Sequence, residues 1–443
     1  MLKDFKINEL PQYIYYFLLM FSMLFARSFV GLTFFGFRLG ELIIGCSFLL
    51  SVVLFLPRKY LPNKISENNL LIILRLLILS VFVVALFTSS PLTSLYFVRS
   101  SSYVWSITFI FFGIYFLDFL RNNNYFIALL SLAPLFVYLF STGRYPNSIM
   151  SFFMTWSDKF QFIKGSDLML TYIVVTLSLI KFLSNKFLSL TYLFLISAAF
   201  FPLLLFNSRG AFLAGAMYFI FQLIYERKFF WKNKVFTLVL GLIGYFVFYS
   251  SVLNVYGEFN FVKVNEATKP NIVTEKVTQI AKQKKTVETF RSFYIEDGRL
   301  YSDDNTTNWR LDIWQDLYHY MDDENMVMTG HGYKSIFPIM LDPTAPGRLG
   351  RDGLNENVHN YFANIFGRGG IFQLLLFLYF YLKLISLSKE LNGNYQVIGY
   401  LIPVMANSFF DANMEGVQYP FIFYSFLAVL FLSKKNEKSS VDY

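Results

Sequence analysis

His359 stands in the run Asn355-Glu356-Asn357-Val358-His359-Asn360-Tyr361, an imidazole among amides and one carboxylate just ahead of a long apolar stretch. Imidazole is the side chain whose ordinary ionisation falls near neutral pH, so proton transfer is the chemistry this junction offers. Arg209 stands in Asn207-Ser208-Arg209-Gly210-Ala211, which reads as a tight polar turn between two apolar stretches, with Gly210 allowing close backbone approach. A charge with so little polar sequence around it is costly unless it faces an anion or a cavity. Ordinary roles compete with both readings. His359 could cap its helix or bond a loop carbonyl, and Arg310 could pair with Asp312 or Asp316. His331, between Gly330 and Gly332, reads first as a loop-shaping or solvent-exposed group, and Arg368 either snorkels outward or assists an anion site.

Metal chemistry is poorly supported by the residue types. The single cysteine, Cys46, excludes a disulfide within the chain and a thiolate cluster. The three histidines are His319, His331 and His359, none four residues from another, and no HExxH, GxSxG or Walker sequence occurs. No cofactor is expected.

The elements that must position these groups are membrane helices. The chain has 443 residues, of which 55% are hydrophobic, 20% aromatic and only 15% charged. That composition describes a polytopic membrane protein. Apolar runs of about 18 or more residues recur, each able to cross a hydrocarbon core about 30 Å thick, and the lack of water there forces helices. We read about twelve spans, at 13–30, 39–56, 70–88, 103–120, 125–140, 166–183, 187–206, 211–225, 235–253, 358–382, 397–410 and 417–432. The first is expected to be retained because more membrane sequence follows it without a small-residue cleavage site. The expected organisation is an all-α bundle in four parts: helices over 1–254, a large loop over 255–357, helices over 358–433 and a basic tail over 434–443.

Lysine and arginine alternate between loops so as to place both termini in the cytoplasm, which makes the net charge of +9 mostly a topology pattern. The basic residues are spread over many short loops, not gathered on one face as a nucleic-acid surface requires. Arg27, Arg38, Arg99, Arg144 and Arg209 lie on the external side, and snorkelling to phosphate headgroups explains some of them. The loop between Leu253 and Val358, about a hundred residues, is too long for a connector. Two amphipathic helices are expected in it. One follows Ile272, Val273, Val277, Ile280, Val287 and Phe290, and the other runs from Trp309 to Met321 with Ile313, Trp314, Leu317 and Tyr318 on its apolar side.

This arrangement resembles the bacterial O-antigen ligase and O-antigen polymerase superfamily, in which many spans surround one large external loop. Ser208-Arg209-Gly210-Ala211 is similar to the family's SRG turn, Trp309-Arg310-Leu311-Asp312-Ile313-Trp314 to its loop arginine followed by tryptophan, and His359-Asn360-Tyr361 to its HN motif at the loop's exit. Gly330-His331-Gly332-Tyr333 and Gly369-Gly370-Ile371-Phe372 are similar to its glycine-bearing stretches. The likeness runs from about Leu203 to Leu382, and the first half is similar only as generic membrane helices.

The resemblance implies a lipid-dependent, GT-C-like membrane glycosyltransferase whose donor is an undecaprenyl-pyrophosphate-linked glycan. Its loop would be periplasmic and its membrane the bacterial inner membrane. His359 would be the base that takes the acceptor's proton, and Arg209 and Arg310 would clamp the departing pyrophosphate. Asn360, Tyr361, Arg368 and His331 would support them, and some of Trp105, Trp156, Trp309, Trp314 and Tyr361 would stack on sugars. The expected activity is an O-antigen polymerase acting by inverting transfer. The alternative is a ligase acting on lipid A core, and a flippase is less favoured because neither repeat symmetry nor a row of midplane charges is read. Membrane lipids, a chain-length regulator and a flippase are the implied partners, with no nucleic acid.

Overall fold

A computed structural model describes residues 9–55, 70–256, 293–345, 348–349 and 356–432. The expected helix around Ile272 to Phe290 and the basic tail lie outside the described residues. Thirteen helices carry the argument: α1 (Leu10–Val30), α2 (Leu39–Phe55), α3 (Leu70–Phe87), α4 (Ser102–Asn122, with 3-10 turns), α5 (Asn124–Ser141), α6 (Gly165–Phe182), α7 (Lys186–Asn207), α8 (Arg209–Tyr225), α9 (Lys234–Tyr256), α10 (Asn305–Asp323), α11 (Tyr361–Asn392), α12 (Gln396–Phe410) and α13 (Gln418–Leu427). Eight of these are long and apolar enough to cross a membrane, and α2, α8, α12 and α13 are shorter apolar helices at the other four expected positions. The chain is an all-α polytopic membrane protein.

Burial sorts the helices by role. Nearly every side chain of α6 is buried, because α1, α5, α7, α8 and α13 all pack around it. In α9 only Leu240, Gly244 and Ser251 are buried, and its remaining apolar surface suits lipid. Two features were not legible as helix periodicity: a hairpin of β1 (Thr33–Phe34) and β2 (Phe37–Arg38), and a second of β3 (Phe293–Glu296) and β4 (Arg299–Ser302).

The loop folds around α10 and has its own small core of Ile313, Leu317, Met321, Phe337, Met340 and Val358. The expected apolar side of this helix holds except at Tyr318, which is 54% exposed. Arg299 from β4 and Arg348 both grip Asp312 and Asp316; Arg299 reaches them at 3.0 and 2.7 Å. Those carboxylates are thus taken by partners other than Arg310.

A backbone seam joins the loop to α11. His331 N–H donates to Gly367 O at 2.8 Å, Gly332 N–H to Arg368 O at 2.9 Å, and Ile371 N–H to Val327 O at 2.9 Å. Helix α11 breaks at Gly370, whose φ of 71° suits glycine. The glycine-bearing stretches therefore serve close packing: a Cβ on Gly330 would strike the Arg368 carbonyl, and one on Gly370 the Met328 carbonyl.

Candidate active site

Three helix starts carry the residues singled out by the sequence. Ser208 ends α7 by donating its N–H to Leu204 O at 2.7 Å, and its hydroxyl accepts from Ala211 N–H at 3.3 Å as the N-cap of α8. The expected polar turn is thus a corner at Ser208, and Arg209 is already helical. Gly210 is not needed for a close approach there, since a Cβ would meet Phe410 at an ordinary 3.6 Å. Asp304 caps α10 through Thr307, accepting from its N–H at 3.0 Å and its hydroxyl at 2.6 Å, which sets Arg310 in the second turn. Asn360 caps α11, accepting from Phe362 and Ala363 N–H at 3.0 and 3.1 Å. The cap of that helix is Asn360, so His359 is released from the capping role.

Specific contacts bring these starts together. Arg209 Nη2 donates to Asp304 Oδ1 at 3.2 Å, tying the start of α8 to that of α10. The start of α6 abuts the same corner, where a Cβ on Gly165 would come within 2.9 Å of Ser208 Cβ. Trp309 lies against His359, ring centroids 4.7 Å apart and planes at 60°, joining α10 to the start of α11. Trp314 Nε1 donates to Val358 O at 2.7 Å, fixing the residue before His359. With Val358 buried and Asn360 held as a cap, the chain turns at His359 with φ of 55°, a region histidine visits more readily than most residues. Backbone N–H groups and helix dipoles at these starts make the region favourable to negative charge.

The electrostatics divide the groups by role. Burial above all, then the Arg310 guanidinium, push the His359 imidazole down to about 4, so it is neutral at physiological pH and carries a basic lone pair on one ring nitrogen. Lys164 and Arg27 act in the same direction, and Asp411 opposes them. The ring is therefore neutral because of its surroundings, and not, as expected, because of an ordinary value near neutrality. Arg310 is itself held below the usual arginine range by burial, with Asp411 and Asp304 working the other way and Arg209 adding repulsion. Its Nε is buried without a hydrogen-bond partner. Burial alone would raise the Asp304 carboxyl, but Thr307 and Arg209 outweigh it and hold it below the usual carboxylate range.

Arg209, Arg310 and His359 thus form one cluster, and His331 and Arg368 belong to the seam between loop and bundle. His331 Nδ1 pairs with Tyr320 Oη at 2.9 Å and its Nε2 with Ser335 Oγ at 3.2 Å. Burial, then Arg368 and Lys334, push this imidazole down to about 4. Arg368 neither snorkels outward nor sits open to an anion. It is 2% exposed, donates to Gly332 O, Ser335 O and Tyr96 Oη at 3.1, 2.6 and 2.8 Å, and stacks 4.1 Å from the Phe337 ring. Tyr361 and Trp105 are fully buried, so neither offers a face to a sugar. Three of the external arginines are engaged: Arg38 with Asp158, Arg99 with Glu41, and Arg144 with Asn254 at 3.2 Å. Sequence reasoning missed Asp411, which acts on both Arg310 and His359 from the segment after α12. An isolated acid at the end of an apolar stretch was the available clue. Among the described residues no three His, Cys, Asp or Glu side chains come together as a metal-ligand group.

Comparison with protein families finds that residues 192–378 match the family model described as O-antigen ligase. The matched segment begins in α7 and ends within α11, so it contains Arg209, Arg310 and His359. Comparison with curated proteins finds no match. The likeness to the O-antigen ligase family therefore rests on residues 192–378, the segment that carries all three residues of the cluster.

Proposed function

We propose that this protein is a membrane glycosyltransferase that polymerises undecaprenyl-pyrophosphate-linked oligosaccharide repeats into O-antigen or a related surface polysaccharide, on the periplasmic face of the inner membrane. The observation that carries this reading is the neutral His359 imidazole held against Trp309 within the field of the Arg310 guanidinium, with Arg209 tied by Asp304 to the start of the same helix α10. In the reaction the acceptor hydroxyl oxygen attacks the donor's anomeric carbon from the face opposite the pyrophosphate. The new C–O bond forms as the bond to the pyrophosphate breaks, and the electron pair leaves on that group. His359 takes the hydroxyl proton, and Arg209 and Arg310 bind the developing charge bidentately. The configuration inverts, and the other product is undecaprenyl pyrophosphate. The activated donor supplies the driving force.

A ligase uses the same donor and the same proton chemistry but delivers the glycan to lipid A core, and the family match is compatible with both. Deletion of the gene followed by glycolipid analysis separates the two. Loss of the polymerase gives core bearing a single repeat. Long lipid-linked polymer with bare core would replace the polymerase reading with the ligase. A flippase supplying the donor and a chain-length regulator are the proposed protein partners.

A further inference from the structure

A group of buried polar atoms lacking partners adjoins this cluster. Asp167 lies in the first turn of α6, Asn407 near the end of α12, Asn413 and Glu415 between α12 and α13, and Tyr419 at the start of α13. Asp167, Asn407, Asn413 and Tyr419 are 5, 1, 3 and 0% exposed. Asp167 Oδ1, Asn407 Nδ2, Asn413 Nδ2, both Glu415 carboxyl oxygens and the Tyr419 hydroxyl close no hydrogen bond of good geometry, although that hydroxyl lies beside the Asn407 and Ser408 side chains.

Asp411 links them to the reaction cluster. Its charge acts on Asp167, Glu415 and Tyr419 and also on Arg310 and His359. Asn407 Oδ1 would be 3.8 Å from a Cβ at Gly210, the residue after Arg209. The Arg27 charge acts on both Asp167 and Glu415, and that of Arg368 acts more strongly on Glu415.

A buried polar atom without a partner costs about 1–3 kcal/mol, and natural proteins keep few of them. Several in one place call for a bound group that completes them. Its chemistry follows from the mixture of donors and acceptors. Two amide N–H groups donate and the Asp167 oxygen accepts. Burial raises the Glu415 carboxyl well above its usual range, which favours the protonated form, able both to donate and to accept as the Tyr419 hydroxyl does. A phosphate would need donors alone, a cation acceptors alone, and a lipid tail neither. A ring of hydroxyls offers a donor and an acceptor at each oxygen.

We propose that Asp167, Asn407, Asn413, Glu415 and Tyr419 form the subsite for the sugar ring that carries the lipid pyrophosphate. The inference rests on the lipid-linked donor of the proposed function. The sugar bonded directly to the pyrophosphate must sit against the arginine pair, as this group of side chains does through Asp411 and Gly210.

Binding by the purified full-length protein in lipid nanodiscs tests it. The probes are undecaprenyl phosphate, undecaprenyl pyrophosphate, and the pyrophosphate bearing one N-acetylglucosamine, N-acetylgalactosamine, glucose or galactose. At least one sugar-bearing lipid binds the wild type about tenfold tighter than the bare pyrophosphate, the worth of one or two buried hydrogen bonds. Asn407→Ala and Asn413→Ala lose that increment and bind the bare pyrophosphate as the wild type does. Tyr419→Phe and Asn407→Ser, which remove little volume, decide the matter if an alanine variant fails to fold. The absence of any sugar increment in the wild type overturns the subsite. So does an increment unchanged in every variant, including the case where only acceptor transfer slows. Failure of the underlying donor reading looks different, because the wild type would then bind the pyrophosphate no tighter than the monophosphate.

Discussion

The His359 ring rests on the Trp309 ring at 4.7 Å, and Trp309 is the chain neighbour of Arg310. The proposed base and one half of the proposed anion clamp therefore share a mounting on α10. Their separation is set by one helix and one ring contact, which keeps the imidazole dry and within the field of the guanidinium.

Trp309→Ala should uncover His359. Burial is the larger cause of its lowered pKa, so hydration should move the imidazole from about 4 back toward about 6.5. The protonated ring cannot accept a proton. The acid limb of the rate against pH should accordingly shift upward, with the alkaline plateau reduced by about tenfold or more for the lost positioning. His359→Ala should abolish turnover with the protein still present in the membrane. An acid limb that stays in place in Trp309→Ala would show that the ring contact does not govern the base.

Arg209 and Asp304 should give opposite effects on anion affinity. Arg209→Ala removes a cation and should weaken pyrophosphate binding about tenfold or more. Asp304→Asn retains a good capping residue for α10 while removing a negative charge that competes for Arg209 and Arg310. Binding of undecaprenyl pyrophosphate should tighten severalfold. The Asp304 carboxyl is held below its ordinary value of about 3.9. Its stabilising contribution is thus complete above that pH and is lost as pH falls through the lowered value, and Asp304→Asn should remove this acid sensitivity. Equal weakening of binding in both variants would refute competition between carboxylate and ligand.

Arg348 is 4% exposed at its side chain and holds Asp312 and Asp316 together with Arg299. Arg348→Ala leaves two carboxylates sharing one guanidinium. Breaking a buried pair costs about 3–5 kcal/mol, but both acids keep contact with water, so about 1–3 kcal/mol is expected here. The loss should fall on the loop and not on the bundle. Protease sensitivity within residues 293–349 should rise without a matching fall in membrane content, and the acceptor KM should rise more than kcat falls. Wild-type protease resistance would mean that the four-charge network is dispensable.

Much of this architecture was legible because membrane helices are written as long local runs. The twelve apolar helices need only length and composition, and α10 needs only the spacing of Ile313, Leu317 and Met321. Arg209, Arg310 and His359 stood out because each is a charged or titratable group beside apolar sequence. What stayed hidden depends on contacts distant in the chain. Asp411 reaches His359 from beyond α12, Arg348 takes the carboxylates that lie nearest Arg310 in sequence, and Asp304 owes its place to a cap and an ion pair. The break at Gly370 is likewise set by the loop backbone from Val327 to Gly332 crossing it, and not by the helix's own residues.

That crossing yields a contrast between glycines. Gly330 has φ of +81° and its Cβ would collide with the Arg368 carbonyl, whereas Gly241 in α9 has nothing within 4 Å of its Cβ position. Gly330→Ala combines a left-handed backbone, worth about 1–2 kcal/mol against alanine, with an overlap against main chain that no side-chain rotation relieves. The loop must then lift from α11, taking His331 and the Phe337 contact of Arg368 with it. Polymer length should collapse, and protease should enter between Val327 and Ser335. Gly241→Ala gains helix propensity and meets only open space, so activity and protease resistance should match the wild type. Gly330→Ala with the resistance of Gly241→Ala would mean that the seam tolerates a side chain, and that the path of the loop over α11 is not fixed by this close approach.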